Sequence, residues 1–572
     1  MNFPVKVSGW LALLLAGCCA LSSVSQAQTQ VAHTKHNLTP SGPGKIKTTA
    51  PAGLCVFCHT PHNAKPSIGM WNHELSGATY QIYASSTLKA SLNQPTGSSL
   101  LCLSCHDGTV ALETLRQTPK GPPLALSVLT GGSVLGTDLS RDHPISFTYD
   151  IALTQKRQEL ADPRGLPAGA PLDPQSQLQC TSCHDPHEDR QPNFLRADNR
   201  AGALCTACHR LRNWKSSIHA TSNATWNGTG ANPWPPGAFG TVADNACSNC
   251  HRSHGAPSPA MKPLLAHATE PTNCTICHGG TVAARNVEAE FSKLSHHPIE
   301  NSPWVHESNE NPLAMNRHVA CTDCHNPHVA TGAAAVPPAV PGALLGVKGV
   351  TVGGSTTGTP NFEYEVCVKC HSAGVTEPTT AGILRQSGTR NIRRKIDPAN
   401  PSYHPVAAAG ANPAMPGLEA GYTASSVVGC TSCHNNDDWT AQGISPRGPH
   451  GSRYEPILGA QYMTGDPGVE SYQSYALCYQ CHNRNFLITD GAQTFPHRRH
   501  VVNDQAPCAV CHDAHGSRQN MHLIDFMRRD RSGKVVVSPS TTQNRLEYTP
   551  LGAGHAQCYL ACHGVNHEPK AY

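Results

Sequence analysis

The tightest constraint on how this chain folds is a repeated pentapeptide. Cys-x-x-Cys-His occurs eleven times, beginning at Cys55, Cys102, Cys180, Cys205, Cys247, Cys274, Cys321, Cys367, Cys430, Cys478 and Cys508. A twelfth copy with one extra spacer residue, CYLACH, runs from Cys558 through Cys562 to His563. Together they use 24 of the 26 cysteines, and the other two, Cys18 and Cys19, lie near the N-terminus. Zinc knuckles and disulfides would also consume paired cysteines, but neither needs a histidine directly after every pair. The spacing is the attachment signature of a c-type haem: two thioethers hold the porphyrin and the adjacent histidine takes one axial position on iron. The second cysteines are Cys58, Cys105, Cys183, Cys208, Cys250, Cys277, Cys324, Cys370, Cys433, Cys481, Cys511 and Cys562. The proximal histidines are His59, His106, His184, His209, His251, His278, His325, His371, His434, His482, His512 and His563. The expectation is twelve covalent haems c.

The rest of the composition agrees with a chain that folds around cofactors. Aromatics make up 5% and charged residues 14% of 572 residues, with 49 Gly and 47 Pro. So little apolar side chain cannot build the several cores that such a length would ordinarily need. The fold expected is mostly irregular with short α-helices and few strands, elongated and organised around closely packed haems. Helices are expected after attachment sites, over 107–117 and 287–294, and the Pro/Gly/Ala-rich insert 331–360 reads as a surface loop or short hairpin. The formal charge of +4 misleads, because twelve haems add about −24 in ionised propionates. The basic run 390–395, RNIRRK, therefore reads as a solvated face or a propionate partner, and nucleic acid is excluded as a partner of an exported protein.

The motifs fall into six pairs. In five of them the first member carries an extra histidine three residues on: His62, His187, His254, His328 and His515. Ahead of each pair stands another: His36, His143, His219, His297, His404, and either His497 or His500, of which His500 is the assigned candidate. A residue three positions beyond a proximal histidine cannot reach the opposite face of the same porphyrin, so each trailing histidine must serve a different haem. Two haems and two spare histidines per unit then balance. The units are 28–125, 126–212, 213–285, 286–395, 396–487 and 488–572. In the fifth pair CTSCHNND lacks the trailing histidine, but His450 in GPHGS echoes RSHGA and DAHGS around His254 and His515, as if 435–447 were inserted ahead of it. His73, His318 and His555 are further distal candidates.

Residues 1–27 read as a signal peptide: Lys6, an apolar run, then a cleavage site after Ala27. Leu15-Ala16-Gly17-Cys18 also has the form of a lipobox, so lipidation at Cys18 competes with simple secretion.

The alternation of CxxCHxxH with CxxCH, with HNLTPSGPG at 36–44, CVFCHTPHNA at 55–64, MWNHEL at 70–75 and CLSCHDGTVAL at 102–112, resembles the doubled-CxxCH multihaem cytochromes, exported electron carriers of metal-respiring bacteria. CYLACH and CTSCHNND depart from that pattern. The resemblance implies bis-histidine haems and electron transfer through the periplasm, across the outer membrane or onto extracellular acceptors such as metal oxide. Its implied partners are other redox proteins, an outer-membrane porin, or further copies in a filament. The competing function is a reductase of a small nitrogen or sulfur oxyanion, which needs one iron with an open position.

Overall fold

The computed structural model describes residues 30–62, 69–258, 264–301, 310–315, 318–372, 382–412, 415–438, 446–489, 495–552 and 555–572. The leader and residues 439–445 of the inferred insertion lie outside them. The chain forms two compact units: residues up to Trp214 with Trp234–Ala268, and Lys215–Pro233 with Thr269–Tyr572.

Regular structure is sparse and short. Among the described residues the longest helices are Gly97–His106 and Glu270–His278, and both contain an attachment motif rather than follow one. Apart from CYLACH, which lies in a strand, the other motifs wind similarly over short turns, as at Cys180–Cys183, Cys321–Cys324 and Cys508–Cys511. Each closes with the histidine N–H donating to the carbonyl of the first cysteine, at 2.8 Å for His59 to Cys55 and 3.0 Å for His184 to Cys180. One turn brings residues three apart onto a common face. Both sulfurs therefore lie on the same side.

Two helix expectations are corrected. The segment 107–117 is turn and bridge, because Asp107 ends the preceding helix and its carboxylate captures the Thr109 N–H and hydroxyl at 2.8 Å each. Only Glu288–Ser292 of 287–294 is helical, as a 3₁₀ turn. The insert 331–360 does contain a hairpin, Gly349–Val350 against Thr356–Thr357.

The apolar cores are small and sit beside attachment sites. In the first unit Phe57, Leu112, Leu115, Leu124 and Leu126 gather around Cys58 and Cys105. In the second, Phe526, Met527, Val536, Val537 and Leu560 gather around Cys511, Cys558 and Cys562.

The recurring tertiary device is a two-residue ladder. Ser295–His296 pairs antiparallel with Gly451–Ser452, and Ser402–Tyr403 with Gly516–Ser517. It ties an upstream histidine to a trailing one: the His297 N–H donates to the His450 carbonyl at 3.2 Å, and His404 to His515 at 3.1 Å. Glycine after the trailing histidine is required by close approach, since a Cβ at Gly451 would meet the Glu290 carbonyl oxygen and one at Gly516 the Lys395 carbonyl oxygen. The longest strands are C-terminal, a three-stranded antiparallel sheet of Glu547–Gly552, His555–Cys562 and Val565–Ala571.

Gly516→Ala is expected to cost about 1–3 kcal/mol, as forced overpacking does. Gly53→Ala, in open space, should stay within about 0.5 kcal/mol of wild type. Denaturant unfolding of the two variants checks both values.

Candidate functional site

The attachment turns are apolar. Burial pushes the Cys58 and Cys324 thiols up to about 12, surroundings that disfavour a thiolate ligand for zinc and suit an uncharged thioether. Consecutive sites also touch. The Cys102 and Cys180 side chains are within hydrogen-bond reach of each other, as are Cys205 and Cys247, and Cys367 and Cys430. Neighbouring turns are bound together by hydroxyl and carboxylate bridges: Glu270 accepts from the Thr322 N–H at 2.8 Å, and Glu363 from the Thr431 N–H at 2.8 Å.

Nine of the attachment histidines face a second imidazole from elsewhere in the chain. His59 faces His187 at 6.2 Å between ring centres, His106 faces His36 at 6.2 Å, His184 faces His254 at 6.2 Å, and His209 faces His143 at 6.2 Å. In the second unit His278 faces His219 at 6.1 Å, His325 faces His450 at 6.0 Å, and His371 faces His297 at 6.4 Å. His434 faces His515 at 6.1 Å, and His512 faces His497 at 6.4 Å. Two imidazoles on one metal ion, each bond about 2 Å and each ring about 1 Å in radius, have centres roughly 6 Å apart. Direct contact between the rings would bring them closer. The separations fit one iron between each pair.

The family model for the doubled CXXCH motif matches residues 173–212 and 240–283. A protein named multiheme cytochrome MtrA, from Shewanella baltica (strain OS185), is 26% identical over 167 residues, 27% of this chain and 37% of that protein. The match thus spans little more than a third of the relative's length. The chain is a multihaem c-type cytochrome. Its CxxCH motifs bind haem c covalently.

The cytochrome orients its imidazoles by one nitrogen. Nδ1 meets a backbone carbonyl in His36 (Pro186, 2.9 Å), His106 (Ser133, 2.8 Å), His184 (Asn193, 2.9 Å), His297 (Pro449, 2.7 Å), His325 (Ala343, 2.9 Å) and His434 (Pro456, 3.0 Å). Three trailing histidines use a carboxylate: His187 with Asp185, His254 with Asp142, and His515 with Asp513, at 3.2–3.3 Å. A ring held at Nδ1 directs Nε2 at its partner. Burial favours the neutral ring at His36, His184, His297 and His325, and pushes His450 down to about 3 and His434 and His512 to about 4, with neighbouring histidines adding to the effect at these last three. The buried His404 lies near His482 and His515 and is likewise pushed to about 4.

Other candidates are placed differently. His73 is buried with both nitrogens engaged, Nδ1 on Glu74 and Nε2 on Ala111 carbonyls. His318 turns Nε2 toward Glu310 and Asp323. His62 is exposed and has no imidazole opposite it among the described residues. His500 does not face His512, because His497 stands there; its ring opposes His567 at 6.5 Å. His497 and His567 are the positions that sequence reasoning passed over. PHRRH offered two histidines without a means of choosing between them. His563, in the twelfth motif, bonds Asp466 through Nε2.

Lys395 of the basic run is buried on Asp513 at 2.6 Å rather than solvated. Burial alone would push the Asp513 carboxyl up, but the His515 bond and the His515, Lys395 and Arg385 charges outweigh it and hold it well below the usual carboxylate range. Asp513→Asn leaves two buried cations without their counter-charge. It is expected to cost about 3–5 kcal/mol in denaturant unfolding.

Proposed function

We propose that this chain is a dodecahaem electron carrier, exported from the cytoplasm, whose six dihaem units interleave so that each iron lies between two imidazoles. The observation that carries the reading is the contact between consecutive attachment sites at Cys102 and Cys180, Cys205 and Cys247, and Cys367 and Cys430. Porphyrins tethered to touching side chains are neighbours, so electrons can hop between them without diffusion. Haem iron supplies the one-electron couple. The protein's part is to fix ligands on both faces and to hold neighbours close.

The ring pairs support a simple assignment. The upstream histidine of a unit ligates the second haem of its own unit, as His36, His143, His219 and His297 are placed to do, with His404 toward His482. The trailing histidine ligates the first haem of the preceding unit, as at His187, His254, His450 and His515. An iron with imidazoles on both axial positions offers no place for a substrate, which favours electron transfer over a reductase. In the last unit His497 fills the place opposite His512 from within the chain. That favours a carrier or conduit, exchanging electrons with other redox proteins and through an outer-membrane porin toward acceptors such as metal oxide, over a filament whose subunits lend one another ligands. No helix of the described residues is long and apolar enough to cross a membrane.

Intact mass after expression with a haem-ligation system should give twelve haems per chain. In protein carrying all twelve, His450→Ala is expected to convert one haem to high spin. His522→Ala should convert none, because the exposed His522 contributes only its carbonyl, to His512 Nδ1 at 2.8 Å.

A further inference from the structure

In CTSCHDPH and CAVCHDAH an aspartate directly follows the proximal histidine. Asp185 Oδ1 accepts from the His187 N–H at 3.1 Å and meets its Nδ1 at 3.3 Å. Asp513 Oδ1 does the same for His515, at 3.0 Å and 3.2 Å. One carboxylate oxygen thus holds both the backbone and the ring of the trailing residue, through a turn that aspartate makes readily with the backbone two residues on.

In CSNCHRSH that position is Arg252, whose side chain turns to the Ala266 carbonyl. The carboxylate comes instead from 112 positions away: the buried Asp142 meets His254 Nδ1 at 3.2 Å and accepts from the Gly255 N–H at 3.1 Å. Main-chain bonds pin the two segments on either side, from the His143 N–H to the Ser253 carbonyl at 2.8 Å and from the Ala256 N–H to the Arg141 carbonyl at 3.0 Å. A local turn alone would not call for a replacement from so far along the chain. Two motifs carry a neutral amide at the same position. Asn326 Oδ1 accepts from the His328 N–H at 3.0 Å, and Asn435 Oδ1 from the Gly448 N–H at 2.7 Å. His450 Nδ1, which is buried, has no hydrogen-bond partner among the described residues. Trailing histidines therefore come in two kinds, with and without an anion on the ring.

The difference bears on iron. A carboxylate on Nδ1–H makes the opposite nitrogen a more basic ligand. Its charge, one imidazole away, also favours the ferric state, which carries one more positive charge than the ferrous. Both effects lower the reduction potential.

We propose that Asp142, Asp185 and Asp513 are positioning residues that lower the potentials of the haems attached beside His184, His59 and His434, acting through His254, His187 and His515. The proposal rests on the ligand assignment given above. Counter-charges grade the effect: Arg196 lies 3.3 Å from Asp185, and Lys395 and Arg385 lie 2.6 Å and 3.7 Å from Asp513.

The test uses the full-length protein with its full haem count confirmed by intact mass. It reads potentials by spectroelectrochemical titration and spin state by electron paramagnetic resonance. Asparagine keeps an oxygen acceptor in place and removes the charge, so in Asp142→Asn one haem is expected to titrate at higher potential while every haem stays low spin. Asp185→Asn should raise a different haem by less, and the double variant should show both shifts. Asp185 is partly exposed, and its variant decides the matter if Asp142→Asn fails to fold. Asp198→Asn, which removes an exposed carboxylate that caps the Arg200 N–H, should leave the titration unchanged. Unchanged potentials in Asp142→Asn or Asp185→Asn, or a shift as large in Asp198→Asn, would overturn the proposal. So would a high-spin haem in loaded Asp142→Asn, because the carboxylate would then only hold the ligand in place. His254→Ala tests the ligand assignment separately: it should turn one haem high spin, and an unchanged low-spin spectrum would fault that assignment whatever the aspartate variants show.

Discussion

Everything in this structure depends on the inability of a histidine three residues beyond a proximal ligand to reach around a porphyrin. On the proposed ligation such a histidine serves another haem, so the covalent chain that would fix one cofactor would also set the distance to the next. His184 and His187 illustrate it: the first faces His254 and the second faces His59, so one short segment joins three parts of the chain. The ladders at Gly451 and Gly516 add a second tie, because each binds an upstream histidine to a trailing one through main-chain hydrogen bonds. On the proposed assignment the first haems of units 28–125, 126–212, 286–395 and 396–487 are each completed by a histidine of the next unit.

The energetic cost of assembling so many histidines is contained by keeping them neutral. Charged imidazoles packed at these distances would repel one another and lose their hydration, so burial and mutual repulsion both lower their proton affinity, most strongly at His450. A neutral ring held at Nδ1 has its remaining lone pair available to iron. The buried Asp513 near the sites is compensated by Lys395 and Arg385 and also holds His515 Nδ1. Lys395 in this cluster is structural and withdrawn from the surface of the basic run 390–395, whose Arg394 is exposed.

Much of this was legible in the sequence because the chemistry is local. A Cys-x-x-Cys-His unit is one helical turn wherever it occurs, and histidine spacing tells which ligands must leave for another haem. Which haem they reach is decided by tertiary stacking between residues such as His59 and His187, more than a hundred positions apart, and local spacing carries no such information. His497 and His500 stand three residues apart on the same segment, and only the surrounding fold separates their directions. The helix expected at 107–117 failed because Asp107 and Thr109 captured the backbone that would have continued it. The strand through CYLACH is foreshadowed by the alternation of Cys558, Leu560 and Cys562 and by Gly564, whose φ of +74° serves the hairpin turn, but the attachment signature masked that pattern.

The ring pairs also differ in orientation. Those of first-member sites are near-parallel or modestly tilted, 16° at His59, 36° at His184, 16° at His325, 10° at His434 and 15° at His512. Those of second-member sites are strongly crossed, 67° at His106, 81° at His209, 71° at His278 and 57° at His371. Parallel imidazole planes give rhombic low-spin ferric signals, and crossed planes give highly anisotropic ones with a large principal g value. Frozen-solution electron paramagnetic resonance of the fully oxidised protein therefore tests the ligand pairing directly. The expected result is low-spin iron throughout, divided between both signal types in comparable amounts. A substantial high-spin population, or a single signal type accounting for all the iron, would contradict it.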